Sequence, residues 1–318
     1  MSAIEKKEIY KELFSLAIPI GFQNLLIALI GATDALMLGR LSQDAVSAVS
    51  LANQIVFVMN LFIGAVVGGG GALIAQYWGK EDKTMVKNLF CMILKWSSAD
   101  TTKDWMKMVL PMLGSSLAWG LSISMHSLIM GHLSSDATAA ASITSVVQEL
   151  ITCVCKGVSA GAGIIIGKLL GKSMFDKAKV YGRKLCHISI WVGVIHILLL
   201  CIIGPIATIF FLLTETAKKY LIIMLIFTGI YVLAYSINTV IVCGIFPAGG
   251  DAKYDAISVF IATWCVALPL ALLGTFVFHW NVIVVYVLMC IDEIIKVPFL
   301  YPRYKKYLWL NNLTREEM

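Results

Sequence analysis

Runs of twenty or more apolar residues recur from one end of this chain to the other. Each is long enough to cross a hydrocarbon core about 30 Å thick as a helix rising about 1.5 Å per residue. Few architectures accept such a chain. In lipid every backbone N–H and C=O must find its partner within the protein, which leaves helices or a closed barrel. A barrel is written in alternating segments of about ten residues, whereas these runs are longer and apolar throughout. The expected fold class is therefore all-α, a polytopic membrane helix bundle. Composition agrees: 59% of the 318 residues are hydrophobic and 14% charged, against about 25% charged in soluble domains. Soluble enzyme folds and nucleic-acid binding are excluded, and the lipid bilayer is the expected surrounding.

Eight spans are predicted, at 14–38, 46–78, 109–131, 138–167, 185–213, 219–247, 255–279 and 281–302. A shorter apolar piece, 85–96, cannot cross, and it runs into the polar linker KWSSADTTKDWMK of Lys95–Lys107. With the N-terminus in the cytoplasm, the inner loops hold 21 Lys and Arg and the outer loops only Arg40, Lys218 and Lys219. By the positive-inside rule both termini are cytoplasmic, and the expected location is the plasma (inner) membrane, multi-pass. No cleavable leader pattern is seen near the N-terminus. The eight cysteines lie in apolar stretches without CxxC spacing or a neighbouring His, and read as buried free thiols rather than a zinc or disulfide framework.

An internal repeat organises the chain. Shifted by 92 residues, positions 19–80 match 111–172 without a gap at 17 of 62 positions. The densest stretch is GRLSQDA (39–45) against GHLSSDA (131–137); Pro19 pairs with Pro111, and Gly79-Lys80 with Gly171-Lys172. Each copy is a pair of spans running in–out–in, so the repeat is parallel. Such repeats are a transporter signature, with the substrate path between them. Four more spans follow the second copy, but only the stub and the linker follow the first. The domain division expected is a partial first lobe (1–96, two spans plus the stub), a polar junction (97–107) and a complete second lobe of six spans (108–318).

Several segments taken together resemble the multidrug and toxic compound extrusion (MATE) family. They are the Pro19-containing first span with Asp34, LGRLSQDAVSAVSLANQI (38–55), GGGGALIAQYWGKEDK (68–83), VSAGAGIIIGKLLGK (158–172), GIFPAGGDAKYDA (244–256), Trp264 with Pro269, DEIIK (292–296) and the tail WLNNLT (309–314). The resemblance implies twelve helices in two six-helix lobes, of which this chain looks like helices 1–2 joined to 7–12. It further implies a secondary antiporter that exchanges Na+ or H+ for organic, often cationic, compounds by alternating access, with no cofactor. It places the coupling ion at Asp34. A second-lobe carboxylate of one branch of the family would fall near Trp119, which points to the other branch.

The residues themselves add to this. An ionisable group inside a span is a functional candidate by default, which singles out Asp34, Glu149 and Lys156. Glu149 and Lys156 are seven apart on one face of the fourth span, about 10 Å along the axis; that is read as too long for a direct pair, and they are expected to line a cavity. Asn53, Gln54, Tyr235 and Asn238 are further cavity candidates, with interhelical hydrogen bonds as the plainer role for the amides. His126, the repeat partner of Asp34, reads as a hydrogen-bonded interface residue. Asp292, Glu293 and Lys296 read as a structural ion pair at the cytoplasmic rim. GVSAG (157–161) matches a nucleophile elbow in letters only, because it lies within an apolar helix; no enzyme activity and no metal site are expected. Two other functions remain open. One is a flippase-like relative moving lipid-linked substrates. The other is a non-transporting truncated protein that needs a second copy or a helper chain to cover its incomplete lobe.

Overall fold

A computed structural model describes residues 3–38, 43–94, 99–211 and 213–314. Side chains are described for the same residues except 3–6, 32, 34–38, 43–55, 94, 99–101, 104 and 210. The described residues form helices joined by short turns, with no strand among them. In chain order these are α1 (Ala3–Leu38), α2 (Gln43–Gly79), α3 (Lys83–Leu94), α4 (Ala99–Leu133), α5 (Ser135–Gly171), α6 (Phe175–Phe210), α7 (Glu215–Ala248), α8 (Ala252–Val277) and α9 (Val282–Lys305). Seven of them are long and apolar enough to cross a membrane. The eighth expected span, α9, forms a helix of 24 residues, but Asp292, Glu293 and Lys296 lower its apolar content. Most of the expected polar linker is helical, because α4 starts at Ala99. There Trp105 and Met108 are buried with Leu89 and Met92 of α3 and Leu73 and Tyr77 of α2.

The 92-residue repeat extends to the backbone. α2 and α5 have matching bounds under the shift, and so do the starts of α3 and α6. The turns between them reach the left-handed region at equivalent positions, Glu81 (φ 65°) and Ser173 (φ 56°). Asp82 Oδ1 then accepts from the Met85 N–H (2.9 Å) and caps α3. α3, at 12 residues, is thus the first third of a helix that continues as α6 for 36 residues in the second copy.

α7 and α8 each contain π-helical stretches, Val240–Ile245, Ile261–Ala267 and Leu273–Val277. Pro247 and Pro269 supply a reason for two of them. Proline has no N–H to bond the carbonyl four residues back, here Cys243 and Cys265, and the preceding turn widens. Only Cys153, Cys155 and Cys186 are buried; Cys91, Cys201, Cys243 and Cys265 sit on exposed helix surface. That corrects the expectation of eight buried thiols, because a helix in lipid turns apolar residues outward as well as inward.

The two copies meet where α2 and α5 cross at their lysine-rich ends. The crossing is reciprocal. A Cβ on Gly79 would overlap the Lys168 carbonyl oxygen, and one on its repeat partner Gly171 would overlap the Gln76 carbonyl oxygen, Gln76 being the partner of Lys168. On the axis between them, a Cβ on Gly167 would lie 2.7 Å from that of Ala75, its own partner. Small residues let backbones approach, and in lipid such packing is the main source of helix association. By contrast, Gly71 meets nothing within 4 Å. Gly171→Val is therefore expected to lower stability by about 3 kcal/mol or more, and Gly71→Ala to leave it within about 1 kcal/mol. Thermal unfolding of the detergent-solubilised chain checks both.

Candidate functional site

α5 is the central helix, and its faces can be assigned from its neighbours. Gly157 packs on the backbone of Ala17 and Gly21 of α1. On the other side, Ser159 Oγ donates to the Thr239 carbonyl (2.9 Å), and a Cβ on Gly163 would lie 3.2 Å from the Gly244 carbonyl oxygen of α7. Glu149 and Lys156 fall on the strip between these faces. Their side chains are 59% and 36% exposed, and Lys156 Nζ lies 3.8 Å from Glu149 Oε1. This corrects the expectation that they are too far apart to pair. Two residues seven apart share a face, and two long side chains cover the axial gap.

A second polar centre lies inside the second lobe. Lys296 Nζ donates to Glu293 Oε1 (2.6 Å) and Asp292 Oδ2 (3.4 Å), and all three are buried. Asn238 of α7 donates to the other Glu293 oxygen, Oε2 (2.7 Å), and to the Glu293 carbonyl (2.7 Å). Asp255 of α8, also buried, lies close to the Ser115 side chain of α4 and to Lys296 and Glu293. Its Oδ1 has no hydrogen-bond partner. The expected ion pair at the rim is thus a buried cluster joining four helices. Its chemistry is unbalanced, with three carboxylates to one ammonium. Burial penalises uncompensated charge heavily, so the Lys296 ammonium is what makes the two carboxylates bonded to it tolerable there.

The remaining sequence candidates separate. Asn238 belongs to the acid cluster and faces Glu293. Tyr235 is half-buried and stacks on Tyr231, ring centroids 5.9 Å apart. His126 Nε2 lies 3.4 Å from Ser122 Oγ, a local contact within α4. The side chains of Asp34, Asn53 and Gln54 lie outside the described residues. Among the described residues no group of three His, Cys, Asp or Glu could hold a metal.

The sequence reading passed over two residues. Asp255 was placed at the edge of a span, where a carboxylate is unremarkable, and only the packing of α4 and α9 around it makes it significant. Gln76 is fully buried. Its amide donates to the Ala248 carbonyl (2.7 Å) and the Asn311 carbonyl (3.1 Å), and its oxygen accepts from the Leu313 N–H (2.6 Å). It fastens α2 to the end of α7 and to the C-terminal tail. Its repeat partner Lys168 does the reverse, reaching from α5 to Glu12 of α1 (2.9 Å). That complementarity was the available signal.

The MatE family model matches residues 19–99 and 111–273, with a break at 100–110 that overlaps the polar linker. A probable multidrug resistance protein NorM of Thermotoga maritima is 36% identical over 85 residues, 27% of this chain and 18% of that protein. An uncharacterized transporter of Bacillus subtilis, YisQ, is 22% identical over 205 residues, 64% of this chain and 45% of that protein. The chain spans less than half the length of these curated relatives. Among solved structures, a mutant of the Vibrio cholerae MATE transporter VcmN superposes with TM-score 0.83 at 13% identity, covering 96% of this chain and 98% of that one. A MOP superfamily transporter from Pyrococcus furiosus superposes with TM-score 0.80 at 11% identity, covering 97% of each chain. At these identities the likeness is one of fold.

The acid cluster can be tested by its charge balance. Lys296→Met leaves buried carboxylates without their ammonium and is expected to cost about 3–5 kcal/mol. Adding Glu293→Gln to Lys296→Met is expected to recover a substantial part of that loss, and thermal unfolding of the two single variants and the double variant measures the coupling.

Proposed function

The chain belongs to the MatE family, and from that premise we propose that it is a secondary antiporter exporting organic, often cationic, compounds in exchange for Na+ or H+. The observation that carries the reading is the contact between the two repeat copies, which touch closely through small residues where α2 and α5 cross, with a partly exposed carboxylate and ammonium, Glu149 and Lys156, further along α5. Rocking one copy against the other about that crossing opens a path between them alternately to the two sides. Glu149 attracts a cationic substrate, and Lys156 competes for the same carboxylate until the substrate displaces it. Asn53, Gln54 and Tyr235 add polar and aromatic contacts along the path. Asp34 in the first copy carries the coupling ion, and the acid cluster around Glu293 offers a second protonatable centre.

The chain is a multi-pass membrane protein. The lysine excess places both termini in the cytoplasm of a cell-membrane protein, with the α2–α5 crossing at the cytoplasmic side. The division into a partial first lobe (1–96), a junction (97–107) and a second lobe (108–318) accounts for the break in the family match and for the abrupt end of α3.

A second reading is favoured by one feature, the uncovered face of α2. Gly71 has no atom within 4 Å of a Cβ, whereas its repeat partner Gly163 packs against α7. On that reading the chain works only with another copy or a helper chain over this face. Ethidium efflux separates the two. Cells expressing the chain are expected to extrude ethidium, and Asp34→Asn is expected to return efflux to the empty-vector rate. Wild-type chain present in the membrane without efflux contradicts antiport. Cross-linking in the same membranes then tests the second reading, which a strictly monomeric chain contradicts.

A further inference from the structure

A cavity of about 450 Å³ opens at the lysine-rich end of the bundle, between α1, the α2–α3 turn and α5. Its walls include Lys83, Lys168 and Lys172, with Glu12, Glu81 and Trp78. We infer that this cavity binds the phosphate headgroup of an anionic phospholipid.

Four observations support the assignment. The first is position: the cavity lies at the ends of two membrane-crossing helices, the depth at which headgroup phosphates sit. Trp78 stands beside it with 56% of its surface exposed, and tryptophan concentrates at that depth. The second is access. α1 and α2 lie on different faces of α5, and the cavity opens between them.

The third observation is chemistry. Lys168 pairs with Glu12 (2.9 Å) and Lys172 lies 4.0 Å from Glu81. The two carboxylates are therefore already engaged with ammonium groups. Each ammonium carries three N–H donors, so donors remain for a phosphate, and the exposed Lys83 adds a third cation. Basic pockets between membrane helices at this depth are suited to anionic headgroups. The fourth is rigidity. The turn carrying Glu81 and Lys83 is held by the Lys80 N–H to Gln76 carbonyl bond (3.0 Å) and by the Asp82 cap on α3 (2.9 Å). The lysines are presented by fixed backbone rather than by a loose loop.

The site joins the two copies: Glu12, Trp78, Glu81 and Lys83 come from the first, and Lys168 and Lys172 from the second. A lipid phosphate there bridges the same crossing that the glycines close. The inference does not depend on transport, and its test reads binding alone.

The full chain is reconstituted in phosphatidylcholine nanodiscs containing an equal fraction of either brominated phosphatidylglycerol or brominated phosphatidylcholine. The share of fluorescence quenching due to Trp78 is the difference between wild type and Trp78→Phe. Quenching of Trp78 is expected to be stronger with the anionic lipid. Lys83→Gln is expected to weaken that lipid's association about fivefold, and Lys83→Arg to retain it. Lys83 is exposed, so these changes leave the fold intact. Equal quenching by the two lipids overturns the inference, as does indifference to both Lys83→Gln and Lys172→Gln. Displacement of the brominated anionic lipid by millimolar inorganic phosphate assigns the site to a free anion and likewise overturns it.

Discussion

The two copies of the repeat are held together by the close approach of the α2 and α5 backbones at Gly79, Gly167 and Gly171. In a bilayer the hydrophobic effect gives little reason for two apolar helices to associate, because acyl chains are as apolar as leucine side chains. Contact must come from packing and from hydrogen bonds. The glycines supply the first by removing side chains at the crossing. Gln76 supplies the second, satisfying its buried amide entirely from the end of α7 and the tail. α2 and α5 approach in this way at one end of the bundle, and α1 and α5 approach again further along, at Gly157.

The two polar centres depend on this arrangement differently. Glu149 and Lys156 sit on the strip of α5 between its α1 and α7 faces and are partly exposed. The cluster of Asp255, Asp292, Glu293 and Lys296 is instead buried among α4, α7, α8 and α9. The π-helical stretch of α7 starts just past Asn238, so the widened turn lies beside the residue that binds Glu293. Widened turns of this kind recur at functional sites in helices. The acid cluster and the crossing thus meet on α7, which ends at Ala248, where Gln76 takes hold.

Much of this was legible in the residues, because apolar length and lysine bias act locally. Helix existence, the bundle class and the repeat are read from such local signals, and the repeat proved exact enough to align helix bounds and even the left-handed turn residues Glu81 and Ser173. Long-range pairing was not legible. Asp292, Glu293 and Lys296 look like a rim ion pair from spacing alone. Only the meeting of α4, α7, α8 and α9 shows that they are buried and share their space with Asp255. Glu149 and Lys156 were judged by axial rise, which neglects the reach of their side chains. Asn238 faces Glu293 because of the rotation of α7, which a helix of nearly uniform hydrophobicity does not encode.

If the copies rock about the crossing, the helix ends just beyond it must change their separation between the two states. Spin labels on the exposed Lys83 and Asp176 positions, one beyond each crossing helix, report that separation by electron–electron double resonance in nanodiscs. Two distance populations are expected, and an organic cation such as tetraphenylphosphonium is expected to redistribute them. A single distance, unchanged by the cation, by sodium or by pH, would contradict the account.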